Sequence, residues 1–405
     1  MADRRPPSLL LLPPPPHPAT HATLKAAYEP PLRAAISHLK LEHNVAPHPS
    51  GSVLIVGVAF PILHDVSSNE KAFRWADAQS VLAGIYSIVA VICSQLSIPS
   101  EMHAGSDAVD VRVVFIDHSP SKRPLVDVKP PIGSNNTIIV DLPTFVSTYH
   151  PWRHIFHVNC EPGNELFLTY LRTAAGVQIQ ALKEDQFIAV EGGLSLTTEP
   201  TSSSNLSNTY HVVCLGGTFD QLHPGHKLLL TAAALLLRVP EQGAKVTTRF
   251  IIGVTGDELL KRKKFAEFVQ SWDERVNNVI EFVASILALS RDGGREPEET
   301  IRKREEVIAR FRGGSVEIQC VVLQDLYGPT ITEEDMDVLI VSGETRSGGK
   351  AVNDKRLELG LREVEVFEVD VLDAEDIVDG PTRTEDFASK ISSTAIRQRK
   401  AETQD

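Results

Sequence analysis

At 405 residues the chain exceeds the usual size of one hydrophobic core, so two domains plus tails are expected. Hydrophobic residues at 42% and charged residues at 23% suit an ordinary globular protein and exclude fibrous or collagen-like architectures. A formal net charge of −13 argues against broad nucleic-acid binding, because phosphate backbones demand clustered Lys and Arg, so any phosphate site must be locally basic.

Residues 1–22 are Pro-rich, with Pro13 to Pro16 in a row, and are read as a disordered tail. Leu9 to Leu12 follow Arg4 and Arg5 but are too short a run for a signal peptide. From Ser52 to about Val190, apolar runs such as Val53–Val56, Val111–Ile116 and Thr137–Val140 alternate with helical stretches, which predicts an α/β domain over residues 23–195. Val81 to Ile98 barely reaches spanning length and is interrupted by Ser87, Ser94 and Gln95, so it reads as a buried helix and no membrane span is expected. His150, His154, His157 and Cys160 recur at spacings that could gather around zinc, but Pro151, Trp152 and Phe156 point to a packed segment, and no protein metal site is predicted. Cys93, Cys160, Cys214 and Cys320 show neither C-x-x-C spacing nor the density of a disulfide scaffold, which fits a reducing, cytoplasmic setting.

Residues 196–209 are small and polar and mark a linker to a second domain, 210–405. There His211–Leu215 reads as a strand, His226–Leu237 as a helix and Arg249–Thr255 as a strand, a βαβ unit that implies a parallel sheet. Ser271 with Glu274 makes a capping box before a helix from about Trp272 to Leu289. Arg291–Arg312 is charged throughout and predicts a loop and a solvated helix. Strands follow at Val316–Leu323, Val338–Ser342 and Val364–Val371, and a last helix begins near Ser393. The fold class expected is α/β: a C-terminal Rossmann-like parallel-sheet domain preceded by a smaller α/β domain.

The segment from Gly216 to His226, GGTFDQLHPGH, lies between a buried strand and a helix start, where open α/β sheets bind ligands. Gly216 and Gly217 let the backbone approach a ligand, Thr218 adds a hydroxyl, and Pro224 with Gly225 sets up a helix N-terminus suited to an anion. His223 and His226, neutral or cationic, are donors for phosphate oxygens. Near the C-terminus, Ile391 to Arg397 reads ISSTAIR, and from Phe387 to Lys400 there are four basic residues and no acidic one. Hydroxyls at a helix start and an Arg fork again suit phosphate. Lys261, Arg262, Lys263 and Lys264 form a further basic cluster, and Val341 to Lys350 forms a Gly-rich segment after a strand.

These segments together resemble the H-x-G-H nucleotidyltransferase superfamily, and specifically phosphopantetheine adenylyltransferases of the eukaryotic and archaeal type, in a fungal-like form with an N-terminal extension. GGTFDQLHPGH resembles G-G-T-F-D-x-L-H-x-G-H, ISSTAIR resembles I-S-S-T-x-I-R, and Val341 to Lys350 with Asn353 and Arg356 is similar to V-S-x-E-T-x-x-G-G with N-x-x-R. Gln270 and Arg275 echo the family's Q-x-x-x-x-R. The likeness covers about residues 210–400 and leaves the first half of the chain unassigned. It implies transfer of an adenylyl group from ATP, with magnesium, to 4′-phosphopantetheine, giving dephospho-coenzyme A and pyrophosphate. No G-x-x-x-x-G-K-[ST] loop for a further kinase step occurs.

The resemblance assigns His226, His223 and Lys261 to catalysis. It assigns Gly216, Gly217, Thr218, Phe219, His226, Ser342, Glu344, Thr345, Ser392, Ser393, Thr394 and Arg397 to the nucleotide, the last three holding the leaving pyrophosphate. Thr218, Asp220, Lys261, Lys263 and Arg346 are assigned to the acceptor, and which lysine of 261–264 meets phosphate stays open. Other coenzyme A pathway enzymes are possible partners of the first domain. Two alternatives stand beside this one: nucleotidyl transfer to another acceptor, as in cytidylyltransferases or nicotinamide mononucleotide adenylyltransferases, and a non-catalytic scaffold that keeps the fold. Arg383 to Asp386 only faintly echoes the cytidylyltransferase ending.

Overall fold

The computed structural model describes residues 5–45, 48–67, 70–119, 137–147, 151–177, 182–194, 206–240, 245–287, 296–369 and 392–404. The chain divides into two compact units, with the main division between Ser207 and Asn208.

In the first unit six strands form one sheet: β1 (Ser8–Leu12), β2 (Ser52–Ala59), β5 (Val109–Asp117), β6 (Val140–Asp141), β7 (Ile155–Asn159) and β8 (Phe187–Glu191). Their order is β6-β5-β2-β1-β7-β8, and every neighbouring pair is parallel. A two-stranded hairpin, β3 (His64–Ser67) with β4 (Glu70–Ala72), precedes the helix α2 (Trp75–Gln95). Helix α1 (His21–Val45) packs on α2, and α3 (Leu142–Ser147) packs on α4 (Glu161–Val177). The chain winds outward from β1 to β6, then returns to β7 and β8 on the other side of β1. That is the doubly wound plan.

β1 corrects the reading of residues 1–22 as a disordered tail. Leu9, Leu10, Leu11 and Leu12 are each 0% exposed, and the strand is central, paired to β2 and β7. A parallel strand covered on both faces reads as a continuous apolar run rather than an alternating one. The prolines end the strand instead of disordering it, and Pro13 accepts a hydrogen bond from the Tyr28 hydroxyl at 2.7 Å. Further along, Thr137 and Ile138 are not part of a strand, which begins only at Val140. Helix α2 is the one described helix long and apolar enough to cross a membrane, and most of its apolar window is buried. Its buried residues run from Ala78 to Cys93 on several sides, as a core helix requires.

The second unit has a seven-stranded sheet: β9 (Val212–Gly217), β10 (Thr248–Thr255), β11 (Glu299–Lys303), β12 (Glu306–Phe311), β13 (Val316–Leu323), β14 (Val338–Ser342) and β15 (Glu365–Val369). The order is β11-β12-β13-β10-β9-β14-β15. The five strands from β13 to β15 run parallel, and β11 and β12 add an antiparallel edge. Helices α5 (Pro224–Leu235), α6 (Asp257–Leu260), α7 (Trp272–Leu287), α8 (Arg346–Glu358) and α9 (Ser393–Gln404) complete it. The Ser271–Glu274 capping box is present: Ser271 N–H donates to Glu274 Oε2 at 2.8 Å, and Glu274 N–H donates to Ser271 Oγ at 3.3 Å.

The β11–β12 hairpin corrects the expected loop and solvated helix over 291–312. Val307, Ala309 and Phe311 are buried at every second position, the period of a strand. The charges between them pair across the hairpin and to β13, as in Lys303–Glu306, Arg310–Glu299 and Arg310–Glu317. Such laddered charge mimics a solvated helix when read in sequence alone.

In this sheet the chain moves from β9 to β10 and β13 on one side, then to β14 and β15 on the other. The reversal falls between β9 and β14, and a crevice at their carboxyl ends is where such folds bind ligands. The motif segment after Gly217 and the turn after Ser342 both lie there.

Candidate active site

The turn between β9 and α5 carries its own strain. Phe219 has φ 52° and Gln221 φ 50°, both in the left-handed region that non-glycine residues avoid. Such conformations cost about 1–3 kcal/mol each and persist only where the surroundings fix them. Phe219 is fully buried, and its ring lies where a Cβ on Gly217 would fall, 2.9 Å away. Gly217 is thus required by a side chain two residues further on.

Three buried or half-buried groups hold the turn. The Arg275 guanidinium, 0% exposed, donates from Nη1 to the Thr218 carbonyl at 2.7 Å, from Nη2 to Asp257 Oδ1 at 2.6 Å and from Nε to the Gln270 carbonyl at 3.0 Å. Gln270 Oε1 accepts from Gln221 N–H at 2.8 Å, and Gln270 N–H donates to Asp220 Oδ1 at 3.0 Å. Arg397 Nη1 donates to Asp220 Oδ2 at 2.5 Å. Gln270 and Arg275 therefore act as braces of the motif turn. Gln221, Asp257 and Lys400, whose Nζ donates to Gln221 Oε1 at 2.6 Å, belong to the same scaffold and were not singled out in the sequence.

His223 is the N-cap of α5: its Nδ1 accepts from Gly225 N–H at 3.2 Å, which leaves the proton on Nε2. The His226 ring stacks on it at 3.9 Å between centroids. Burial pushes the His226 imidazole down to about 3. Burial, then the neighbouring His226 and Lys227, hold His223 well below its ordinary value. Of the two states open in the sequence, both rings are thus neutral near pH 7. Neutral imidazoles at a helix N-terminus donate to an anion without accepting its proton.

The sign of the pH effect follows. Unfolded histidines bind a proton as pH falls through about 6.5, while His226 in the fold does not until about 3. Stability from this pair is full above the unfolded value and declines as pH falls below it. In ¹³C-histidine NMR spectra, His226 is expected to stay neutral through pH 5. A midpoint near 6.5 would show that this half-buried ring is not desolvated as its lowered value requires.

The other expected residues divide. Gly216 is exposed, and Gly217 and Thr218 are half-buried, at the carboxyl end of β9. Ser342 and Thr345 close the turn after β14, with Ser342 N–H donating to Thr345 Oγ1 at 3.1 Å; the Glu344 side chain lies outside the described residues. Ser392, Ser393 and Thr394 start α9, and Ser393 Oγ donates to the Asp220 carbonyl at 2.9 Å, which joins this helix to the motif turn. Ile391, Arg383 to Asp386 and His150 lie outside the described residues.

Several placements differ from expectation. Asp220 is fully buried and its carboxylate is taken by Arg397 and Gln270, so it does not face an acceptor. Arg397 is 2% exposed and presents no open fork. Arg346 pairs with Glu368 on β15, Nε to Oε2 at 2.7 Å. Lys261 is exposed and paired with Glu258 at 2.6 Å, and Lys263 is exposed. Asn353 bonds both ways with Val364, and Arg356 holds the carbonyls of Thr330, Glu333 and Arg362, so Asn353 ties α8 to the residue before β15 and Arg356 ties it to the segment before β14. In the first unit His154 contacts Glu42 and His157 stacks on Phe167; among the described residues no group of three metal-ligating side chains converges.

Comparison with known proteins agrees with this division. Residues 214–399 match a family model described as cytidylyltransferase-like, and residues 1–196 match one described as a domain of unknown function, DUF8446. The second unit is thus similar in sequence to the cytidylyltransferase-like class, in keeping with its parallel sheet and histidine turn. The proteins it resembles include phosphopantetheine adenylyltransferases. The Saccharomyces cerevisiae protein of that name is 31% identical over 192 residues, 47% of this chain and 49% of that one. That of Methanothermobacter thermautotrophicus is 26% identical over 193 residues, 48% of this chain and 87% of the other. An uncharacterized protein, C1F12.08, of Schizosaccharomyces pombe is 36% identical over 188 residues, 46% of this chain and 47% of that one. The match spans about half the length of the yeast relatives.

Proposed function

We propose that the second unit transfers an adenylyl group from ATP to the phosphate of 4′-phosphopantetheine, releasing pyrophosphate and dephospho-coenzyme A. The observation that carries this is the pair of neutral, stacked histidines at the start of α5, joined through Asp220 to the hydroxyl-bearing start of α9. The names of its homologues support the choice of acceptor.

The acceptor phosphate is already anionic, so attack on the α-phosphorus needs no general base, and neutral histidines suit that demand. In this reading His226 Nε2 donates to the α-phosphate oxygens and His223 Nε2 to neighbouring phosphates, stabilising charge as the transition state forms. Gly216, Gly217 and Thr218 let the phosphate chain approach the backbone, and Ser342 and Thr345 border the nucleotide. Ser392 and Thr394 face the leaving pyrophosphate while Ser393, bonded to the Asp220 carbonyl, holds them to the motif turn, and a lysine of 261–264 approaches the acceptor phosphate. Magnesium enters as part of the substrate, bound by phosphate oxygens and water. Positioning supplies the rest of the rate. A cytoplasmic location and contacts of the first unit with other coenzyme A enzymes belong to the same proposal.

The test is pyrophosphate release from ATP and magnesium with 4′-phosphopantetheine, set beside ATP with nicotinamide mononucleotide and CTP with a phosphorylated alcohol in separate reactions. Turnover with phosphopantetheine alone is expected. Turnover only with another pair of substrates would move the chain to a different acceptor class, and none with any would favour a scaffold.

A further inference from the structure

Arg397 sits where an Arg fork for phosphate was expected, yet it is buried and each of its three nitrogens already donates within the protein. Nη1 donates to Asp220 Oδ2, Nε to the Lys264 carbonyl at 3.1 Å, and Nη2 to Thr394 Oγ1 at 3.1 Å. Both members of the ion pair are buried, Asp220 at 0% and Arg397 at 2% exposure. A buried, mutually neutralised pair adds no net positive charge for a triphosphate. What it does join is geometry: one guanidinium ties the motif turn, the basic loop ending at Lys264 and the hydroxyl-bearing start of α9.

The partners of Asp220 extend the same pattern. Its Oδ1 accepts from Gln270 N–H and its carbonyl accepts from Ser393 Oγ, so both carboxylate oxygens and the carbonyl bind segments that approach from other parts of the chain. It lies between Phe219 and Gln221, both of which are in left-handed backbone conformations. A strained turn keeps its shape only while such contacts persist.

We propose that the Asp220–Arg397 pair is a positioning latch for nucleotidyl transfer: it sets the distances among His223 and His226, the 261–264 lysines and the hydroxyls of 392–394, and touches no phosphate itself. This rests on the adenylyl-transfer reading above. The latch makes the three groups one unit, so a shift of about 1 Å between them on its removal costs on the order of a hundredfold in rate.

The experiment is a double-mutant cycle with Asp220→Asn, Arg397→Gln and both together, read by kcat for pyrophosphate release and by amide hydrogen exchange over residues 264–270 and 392–404. Each single variant is expected to lose about a hundredfold in kcat, the double to lose no more than either, and both segments to lose protection together. Near-normal kcat in Asp220→Asn beside a disabled Arg397→Gln would make Arg397 a phosphate ligand and overturn the latch. Multiplying losses, or exchange unchanged in both segments, would overturn it too. Should the singles fail to fold, Arg397→Lys keeps the charge but not the three-way geometry; normal kcat and exchange in it would overturn the proposal, and reduced kcat with faster exchange at 264–270 would support it. If the wild-type protein releases no pyrophosphate from any substrate pair, the functional reading fails with it, a result distinguished because exchange coupling between the segments would remain.

Discussion

Deleting residues 1–12 is expected to unfold the first unit, and Leu10→Asp in the full chain is expected to do the same. The deletion removes the central strand, leaving β2 and β7 with unpaired edges in the middle of the sheet. Each fully buried leucine contributes about 1.5–3 kcal/mol, and four of them approach the ~5–15 kcal/mol that holds a whole domain together. Leu10→Asp adds a carboxylate with no partner, between Val56 on β2 and Phe156 on β7. Hydrogen exchange over Val53–Val58 and Ile155–Val158 is the measurement, and protection kept at its full-length level in either variant would refute the central place of β1.

β1 also shows where sequence reading ends. A run of four leucines beside four prolines satisfies the composition of a tail and the pattern of a buried parallel strand, and only the partners decide between them. The same holds for β11 and β12, whose charges pair across a tight hairpin and are told from helix-spaced charges only once the strands are paired. In the second unit the strands β13 and β14 were legible to the residue, because each is a β-branched run bounded by turn residues. The site was legible as a set of segments, since glycines, histidines and hydroxyls at strand ends announce phosphate chemistry. What the sequence could not show is which charged residues face inward. Asp220, Arg275, Arg397 and Arg356 look like ligand-binding charges in a list of motifs, and in the fold they are braces. Burial separates the two roles, and burial is a property of the fold.

His226→Ala is expected to separate activity from stability. Its Nε2 is the donor assigned to the α-phosphate, and removing one preorganised donor of this kind lowers kcat by about 10²–10³. Stability should move the other way or not at all, because His226 Nδ1 is buried without a hydrogen-bond partner, and a buried polar atom left unpaired costs about 1–3 kcal/mol. The alanine variant should therefore melt no lower than the wild type, as is common where a site is shaped for chemistry rather than for packing. His226→Gln, which restores an amide donor, should recover part of the lost rate. Because both rings stay neutral in the fold, the acid limb of the wild-type pH–rate profile should not carry a midpoint near 6.5 from either of them. An alanine variant within tenfold of wild-type kcat would remove His226 from the mechanism, and one that both melts lower and loses rate would make it a packing residue instead.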